Sequence, residues 1–475
     1  MTAHPAIVVV GSGGAGLAAA LAAAEAARAK AVACPITLIE KAPQGAHGGN
    51  TRWSPSYMRM AAPDRVEASF ADDMREISGG RMDEAYVGRL AAAAPPTIAW
   101  LARLGIAFDR PVYYLSAGPP RIQPVGGGAT ILSELERAAR AAGVDIRYEH
   151  AAERLLLDQH GRIQGIEVST PHGPREAIAA DAVVLATGGF AGNGEMLSRH
   201  LGPGAESLKP ISPGTSFNTG DGIRMALAAG AGTDGDWGGM HAEPVDPRSR
   251  GSAPVVLVYP YGIVVDRTGR RFFDEGAGLV HETWERLART LHFATPGRIA
   301  YAILDARLYE IAGYQRAIRS EVPPYRAGSI AELAALIDVA AAPLQETIAS
   351  YNAAAIGDPA RFDASRTDGL AAAIELSPPK SNWARPLHRP PYLAYPLIGA
   401  IAYTFGGIAT NAEAEVLGES GRPIPGLYAA GEMTGHFFGM APNAVAMLRA
   451  LVFGRIAGTH AVAYCLGRRS WGQYN

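Results

Sequence analysis

A cluster of glycines between an apolar run and a long alanine-rich stretch, close to the start of the chain, constrains the fold most strongly. Residues 7–10, Ile-Val-Val-Val, predict a buried strand, and residues 15 to about 30 predict a helix. Gly11, Gly13 and Gly16 between them have the spacing G-x-G-x-x-G. In such a turn the first glycine permits a sharp bend, the second lets a pyrophosphate approach, and the third lets the helix pack on the strand. The sequence therefore predicts a strand, a tight turn and a helix that bind a dinucleotide.

A second predicted strand, residues 36–39, ends at the acidic residue Glu40. A carboxylate at this place in a nucleotide-binding fold can accept hydrogen bonds from a ribose diol. An ordinary βαβ unit without a nucleotide is the alternative, but it leaves the linked glycines, helix and terminal acid unexplained.

The composition limits the classes of function. The chain has 475 residues, enough for two or three domains, and a net charge of -2, which gives no electrostatic case for nucleic acid or an anionic membrane. The apolar run at residues 6–10 is too short to span a bilayer, so no membrane insertion is expected. The two cysteines, Cys34 and Cys465, cannot form an iron–sulfur site or a C-x-x-C pair. We expect a cytoplasmic protein without a metal site.

Further glycine-rich segments follow predicted secondary structure along the chain. Residues 181–186 predict a strand that closes on Gly188-Gly189, and residues 426–430 predict another that closes on Gly431-Glu432. Residues 64–108 predict helix with a break at Pro95-Pro96. From about His241 the chain becomes rich in proline, aromatic residues and arginine, and it includes a predicted hairpin over residues 263–275. The expected domains are residues 1–240 and 390–475 for the nucleotide, and 241–389 as an insertion.

These elements, in this order, resemble the fumarate reductase/succinate dehydrogenase flavoprotein superfamily over essentially the whole chain. Within it, residues 237–241, 259–263 and 269–277 are most similar to the tricarballylate dehydrogenase branch. The resemblance implies an α/β fold, in which a Rossmann-like FAD-binding domain carries an inserted α+β capping domain and the substrate lies between them. The motifs that carry it are Gly11 to Gly16 with Glu40, Gly48-Gly49-Asn50-Thr51, Ala186 to Phe190, Asn218 to Gly222, Gly269 to Glu275, and Gly426 to Glu432.

The resemblance also implies which residues hold FAD, which we expect to be bound non-covalently. The first glycines would hold the pyrophosphate, Glu40 the adenosine ribose, Glu432 the ribityl chain, Asp221 the flavin end and Gly407 the flavin pyrimidine. The expected cofactor residues are Gly11, Gly13, Gly14, Ala15, Gly16, Glu40, Lys41, Gly48, Gly49, Asn50, Thr51, Gly188, Asp221, Gly407, Glu432, Asn443, Met447 and Leu448.

The sequence departs from fumarate reductases where their chemistry takes place. No arginine follows Glu275 at the place of the proton-delivering arginine, because residues 276–280 are Gly-Ala-Gly-Leu-Val. The substrate-binding arginine of the family falls near Ala441. The fumarate reductase mechanism is therefore not implied by the resemblance.

Three residues are the candidates for chemistry. His241 opens the insertion, Tyr403 follows it, and Arg449 lies on the last predicted helix, so we expect them to converge on one small cavity. His241 and Arg449 would polarise a carbonyl or hold a carboxylate, while Tyr403 would move a proton if neighbouring cations lowered its pKa. A structural histidine, a core aromatic and a salt bridge are the alternatives. The further candidates are Arg52, Arg59, Tyr261 and His281, and His47 resembles the residue that carries covalent flavin in some relatives.

The expected function is a flavin-dependent dehydrogenase or reductase. It would act on a C–C bond next to a carbonyl or carboxylate of a small molecule, as tricarballylate dehydrogenase does, with an unknown electron acceptor. A 3-ketosteroid-type dehydrogenase is one alternative. A flavin-binding electron-transfer or assembly component without substrate turnover is another.

Overall fold

Helices and strands alternate along the chain in an α/β fold. The computed structural model describes residues 5–112, 114–115, 118–171 and 173–472. The strands are β1 Ile7–Val10, β2 Ile36–Ile39, β3 Phe108–Asp109, β4 Gln123–Pro124, β5 Asp145–Arg147, β6 Ala151–Leu157, β7 Ile163–Ser169, β8 Glu176–Ala179, β9 Ala182–Leu185, β10 Lys209–Pro210, β11 Thr233–Asp234, β12 Met240–Val245, β13 Ile263–Asp266, β14 Ala300–Leu304, β15 Tyr325–Ala327, β16 Tyr392–Thr404, β17 Gly407–Ile408, β18 Glu415–Leu417 and β19 Pro423–Ala429. The α-helices are α1 Gly14–Ala29, α2 Gly49–Trp53, α3 Phe70–Ile77, α4 Glu84–Arg103, α5 Gly127–Ala141, α6 Gly194–Leu201, α7 Asp221–Ala228, α8 Val280–Phe293, α9 Ile330–Leu336, α10 Ala341–Ala354 and α11 Ala446–Gly472.

The first sheet has β1 near its centre. Its order is β18-β19-β9-β1-β2-β5, and β1 pairs in parallel with both β2 and β9. All four residues of β1 and of β9 are buried, as expected for parallel strands covered on both faces. The carboxyl ends of β1, β2, β9 and β19 therefore share one edge, where ligands bind in open α/β sheets. The chain segments that begin at Gly11, Glu40, Ala186 and Ala430 leave the sheet at this edge.

Two glycines bring α11 into close contact with α1. A β carbon at Gly454 would lie 2.3 Å from the Ala15 carbonyl oxygen, and one at Gly458 would lie 2.1 Å from the Ala19 oxygen. Of the described helices, Ala446–Gly467 alone is long and apolar enough to cross a bilayer, and 56% of that apolar window is buried inside the protein. A core helix has the same properties, and the contact with α1 is the packing of a core helix.

The second sheet is built around β16. Its order is β10-β16-β14-β13, with β12 and β15 also paired to β16. In the antiparallel pair of β12 and β16, His241 lies opposite Tyr403, and a bulge follows between His241 and Ala242. This register places two of the three candidate residues side by side.

One prediction of local structure is wrong and another holds in part. The helix α4 continues through Pro95 and Pro96, because proline's fixed φ is compatible with a helix and the flanking residues Ala94 and Thr97 are buried. The predicted hairpin over residues 263–275 forms its turn, where the Asp266 N–H donates to the Arg270 oxygen at 2.9 Å and Val265 pairs antiparallel with Arg271. Its first arm, β13, pairs along its whole length with β14. The division into residues 1–240, 241–389 and 390–475 stays a proposal.

Candidate functional site

The glycine turn after β1 has the geometry that its spacing predicts. A β carbon at Gly11 would lie 2.4 Å from the Ala186 oxygen, and one at Gly16 would lie 1.8 Å from the Gly11 oxygen, so both positions need glycine for close packing. At Gly13 the nearest atom to such a carbon is 3.8 Å away. Gly13 is thus free of such a clash, and it lines the cleft at the start of α1, where N–H groups of the first turn point outward.

Glu40 is buried behind this turn. Its carboxylate accepts hydrogen bonds from the backbone N–H and the hydroxyl of Ser12, at 2.8 and 2.7 Å, and from the Ala42 N–H at 2.8 Å. These bonds tie the end of β2 to the glycine turn. The expected contact of Glu40 with a ribose stays a prediction.

Lys41 and Asp221 form an ion pair beside Glu40. The Lys41 Nζ lies 2.8 Å from Asp221 Oδ2 and donates to the Thr219 hydroxyl at 2.5 Å. Burial raises the pKa of Asp221, but the hydrogen bonds from Lys41 and Thr219 outweigh it and hold that pKa below its usual value. Both residues line the same cleft as Glu40, and the expected contact of Asp221 with the flavin end stays a prediction.

A long cleft, here called the first cleft, runs along the carboxyl edge of the first sheet. It spans about 1250 Å³ of space between atoms, part of which is open to solvent. Its lining includes Gly11, Gly13, Gly14, Ala15, Glu40, Lys41, Gly48, Gly49, Asn50, Thr51, Gly188, Asp221, Glu432, Met447 and Arg449 from the predicted set, and Ser12, Thr187 and Asn218 in addition.

The loop before α2 forms one wall of the first cleft. The Thr51 hydroxyl accepts a hydrogen bond from the Gly14 N–H at 3.1 Å. The Asn50 amide donates to the Ala402 oxygen at 2.7 Å and accepts from the Thr215 hydroxyl at 2.7 Å. Asn50 therefore fixes the backbone beside Tyr403, a positioning role that its sequence motif did not predict.

Glu432 is a second acid of the first cleft, and it is half-buried. It accepts hydrogen bonds from the Asn218 amide at 3.0 Å and from the Thr404 N–H at 3.2 Å. Burial raises its pKa to about 7, against the opposing effect of these and other hydrogen bonds. Near neutral pH, Glu432 can thus accept a hydrogen bond or donate one to a polyol.

Arg449 lines the first cleft, apart from His241. Its Nη1 donates to the Gly435 oxygen at 2.7 Å, and its guanidinium lies 3.8 Å from the centre of the Phe437 ring. Its Nε is buried without a hydrogen-bond partner in the described part of the chain. The prediction that Arg449 converges with His241 on one small cavity is wrong, because α11 presents it toward the sheet edge.

A second cavity adjoins the first cleft and spans about 950 Å³ of space between atoms, part of which is open to solvent. The two share Asn50, Ser54, Tyr403, Ala446 and Met447 in their linings. Other residues that line the second cavity are Trp53, Pro55, Tyr57, Tyr114, Arg121, Ile211, Ser212, His241, Glu243, Ala253, Trp284, Arg319, Ala402, Ala441, Pro442, Asn443 and Ala444.

His241 lies between two carboxylates at the edge of the second cavity. Its Nδ1 is 3.0 Å from Glu285 Oε2, and its Nε2 is 3.1 Å from Glu243 Oε1. Burial lowers its pKa, but the hydrogen bonds to both carboxylates outweigh this and raise the pKa to about 9. His241 is thus an imidazolium at neutral pH. The sequence analysis missed both acids, although the two-residue spacing of Glu243 from His241 on one strand was a usable signal.

Tyr403 lies at the boundary of the first cleft and the second cavity. Its ring centre is 4.9 Å from that of His241. Burial, together with the carboxylate of Glu285, raises the pKa of the Tyr403 phenol well above its usual range. The expected lowering of this pKa by cations is therefore wrong, and Tyr403 holds its proton.

Two arginines that the sequence analysis missed face the second cavity. Arg121 is buried and donates to Asn443 Oδ1 at 3.0 Å and to the Pro119 oxygen at 3.1 Å. Arg319 is exposed and lines the same cavity. Asn443, an expected cofactor residue, thus borders the second cavity. Arg121 follows two prolines and Arg319 follows a short helical turn. Neither position has a sequence pattern that distinguishes it from other arginines.

The remaining candidates lie outside both linings. Arg59 is buried and paired with Glu67 and Asp73, Tyr261 donates to the Ala364 oxygen at 2.9 Å, and Arg52 makes a 3.5 Å contact with the His47 oxygen.

Burial, with Arg121 and Arg59 nearby, lowers the pKa of His281 to about 4. His47 lies 3.2 Å from the Ser12 hydroxyl. Gly407 and Leu448 are packing positions, since a β carbon at Gly407 would lie 2.3 Å from the Met433 oxygen and Leu448 is fully buried.

The residues of the first cleft fit FAD. The cleft offers the start of α1 at Gly13 for a pyrophosphate, and the acids Glu40 and Glu432 for hydroxyls. The Nε of Arg449, which has no hydrogen-bond partner among the described residues, is available to a polar ring. Over the described ranges of the chain, no group of three or more His, Cys, Asp or Glu residues could hold a metal ion.

Comparisons with known proteins agree with this site. Residues 6–446 match the family described as FAD binding domain. A probable fumarate reductase of Shewanella frigidimarina is 30% identical over 485 residues, which cover 97% of this chain and 75% of that protein.

Two solved structures have the same fold. The open conformation of a flavocytochrome c3 fumarate reductase has a TM-score of 0.78 and 27% identity, covering 97% of this chain and 79% of that one. A 3-ketosteroid-Δ4-(5α)-dehydrogenase from Rhodococcus jostii RHA1, in complex with 4-androstene-3,17-dione, has a TM-score of 0.70 and 25% identity. The match covers 96% of this chain and 97% of that one. The chain belongs to the FAD binding domain family within the fumarate reductase/succinate dehydrogenase flavoprotein superfamily, and it is an FAD-dependent oxidoreductase.

Proposed function

We propose that this oxidoreductase acts on a C–C bond next to a carboxylate or carbonyl of a small organic molecule. The observation that carries the proposal is the second cavity, which shares Tyr403 and Met447 with the first cleft and has Arg121, Arg319 and the His241 imidazolium on its walls. The cations can bind the carboxylate of an acid. Because the second cavity shares a wall with the proposed flavin site, the carbon next to that carboxylate would then lie close to the cofactor.

Each polar group has a part in this proposal. FAD, when bound without a covalent link, supplies the centre that takes or gives a hydride. Arg121 and Arg319 hold the carboxylate, because guanidinium groups match its two oxygens. Tyr403 donates a proton to the second carbon in the direction of reduction, and the His241 imidazolium beside it supports that donation. In the direction of dehydrogenation the same groups must lose a proton first.

Two narrower expectations come from the sequence. Tricarballylate is one candidate acid, and a 3-ketosteroid is the candidate ketone, since the Rhodococcus structure contains a steroid. The buried Arg121 favours an acid over a neutral steroid, because an ordered cation in an apolar cavity is stabilised by an anion.

The electron acceptor is unknown, and the cytoplasmic location stays a prediction that cell fractionation can test.

Anaerobic flavin spectroscopy tests the proposed function. Oxidised protein is mixed with saturated acids and ketones, including tricarballylate, and reduced protein with unsaturated acids and ketones, while the flavin absorbance at its oxidised maximum is followed. We expect at least one acid to change the flavin oxidation state, and Arg121→Gln to weaken that response at least tenfold. Arg137→Gln, an exposed arginine on α5, is the matched control and should respond as wild type. No response to any acid or ketone would overturn the proposal.

A further inference from the structure

The charges around the second cavity nearly cancel. Three cations, Arg121, Arg319 and His241, stand against two carboxylates, Glu243 and Glu285, both of which are hydrogen-bonded to His241. His241 and its two carboxylates together carry one negative charge, and the two arginines bring the whole group to one positive charge in excess. Electrostatic complementarity then favours one carboxylate on the substrate, because a second would lack a cation.

Glu243 makes a second carboxylate unfavourable in a direct way. It lines the second cavity itself, with 17% of its side chain exposed, whereas Glu285 lies behind His241 with 6% exposed. A di- or tricarboxylate in this cavity would place a negative charge near the Glu243 carboxylate. Like charges in a site largely removed from water repel each other strongly.

Five tryptophan and tyrosine side chains form part of the wall. Trp53, Tyr57, Tyr114 and Trp284 line the second cavity together with Tyr403. The Tyr114 and Trp284 rings meet edge to face at 5.8 Å, and the guanidinium carbon of Arg121 lies 5.7 Å from the Tyr57 ring centre. A flat apolar group buries these faces, while a four-carbon dicarboxylate leaves much of the wall in contact with water.

We infer that the substrate is a monocarboxylate with a flat apolar body, and that Glu243 excludes acids with a second carboxylate. This inference rests on the proposed function and narrows its substrate class. The carboxylate lies at the arginines, the apolar body against the aromatic wall, and Glu243 faces the uncharged part.

Cinnamate and fumarate are the probes, because both carry a C=C bond next to a carboxylate and they differ in the second charge. Binding to the oxidised FAD-loaded protein is measured by isothermal titration calorimetry, without turnover. We expect cinnamate to bind at least tenfold more tightly than fumarate. Glu243→Gln should reduce that ratio at least tenfold by improving fumarate binding, with cinnamate affinity changed less than threefold. Glu375→Gln, at an exposed position, should keep the wild-type ratio.

Three results of the binding measurements would overturn the inference. These are tighter binding of fumarate to the wild type, an unchanged ratio in Glu243→Gln, and no binding of either acid. Flavin oxidation by fumarate with cinnamate inert would also overturn it, while leaving the proposed function in place. The proposed function is overturned by a separate result, in which no acid or ketone of the panel changes the flavin oxidation state.

Discussion

Replacing His241 by glutamine should change how the stability of the protein depends on pH. The carboxylates of Glu243 and Glu285 raise the pKa of His241 from the ordinary 6.5 to about 9, which corresponds to roughly 3 kcal/mol of stabilisation of the folded protein. Because the folded-state pKa is the higher one, this stabilisation is fully present below pH 6.5 and is lost as pH rises through 9. The His241→Gln variant removes the cation between Glu243 and Glu285. At pH 6 its free energy of unfolding should therefore be lower than that of wild type by roughly 3 kcal/mol.

The measurement is urea unfolding at saturating FAD, followed by tryptophan fluorescence, between pH 6 and pH 9.5. We expect the difference in unfolding free energy between wild type and His241→Gln to shrink by roughly 3 kcal/mol over this range. Glu432 also contributes to the pH dependence, because its raised pKa makes a protein lose stability as pH rises from its ordinary pKa to about 7. This contribution is the same in wild type and variant, so it cancels in the difference between them. His160→Gln, in an exposed turn, is the control and should differ little from wild type at any pH. A difference that stays constant or grows toward pH 9.5 would refute the reasoning.

Three further variants test the two cavities. Glu40→Ala should weaken FAD binding by about 1–3 kcal/mol, measured by fluorescence titration of apoprotein, because hydrogen-bonding groups lose their partner. Tyr403→Phe should slow flavin reoxidation by the identified substrate about 10²–10⁴-fold in stopped-flow mixing, with FAD still bound. Gly454→Val should lower both the melting temperature and FAD affinity, because its β carbon would meet the Ala15 oxygen at 2.3 Å and force α11 away from α1.

Each of these variants has a result that would contradict its reason. Unchanged FAD affinity in Glu40→Ala would mean that the ribose is held elsewhere, and full activity in Tyr403→Phe would assign the proton to another group. The matched control for Gly454→Val is Gly467→Val on the same helix, where a β carbon has no atom within 4 Å. Equal effects of the two glycine variants would mean that the close contact of α1 and α11 is unimportant.

The first cleft was largely predictable from the sequence because its determinants are local. The G-x-G-x-x-G spacing, the strand before it and the acid after β2 lie within 34 residues, Ile7 to Glu40, and each requires a backbone geometry that the residue types reveal. The register of β12 against β16 then brought His241 to Tyr403. That contact was expected only from their order along the chain.

The second cavity was not predictable to the same degree. Arg121, Arg319 and Glu285 come from a loop before β4, a segment after β14 and the helix α8, and no local pattern distinguishes them from surface charges. The direction of the Tyr403 pKa depends on burial and on Glu285, which a sequence does not display. The position of Arg449 depended on which face of α11 meets the sheet edge, and that is set by the two glycines against α1.

The close contact of α1 with α11 has a consequence for biosynthesis. The Gly11 turn leaves the ribosome about 435 residues before Ala446, a delay of roughly 20–90 s at ordinary elongation rates. Throughout that interval the nucleotide turn lacks the helix that packs on α1, and for most of it also the strand β19 that extends its sheet. The nascent α1, which is almost wholly apolar, must therefore stay soluble without its partner. The lining of the first cleft is complete only after Met447 and Arg449 of α11 have been made. A stalled or truncated product would expose this alanine-rich face and depend on chaperones.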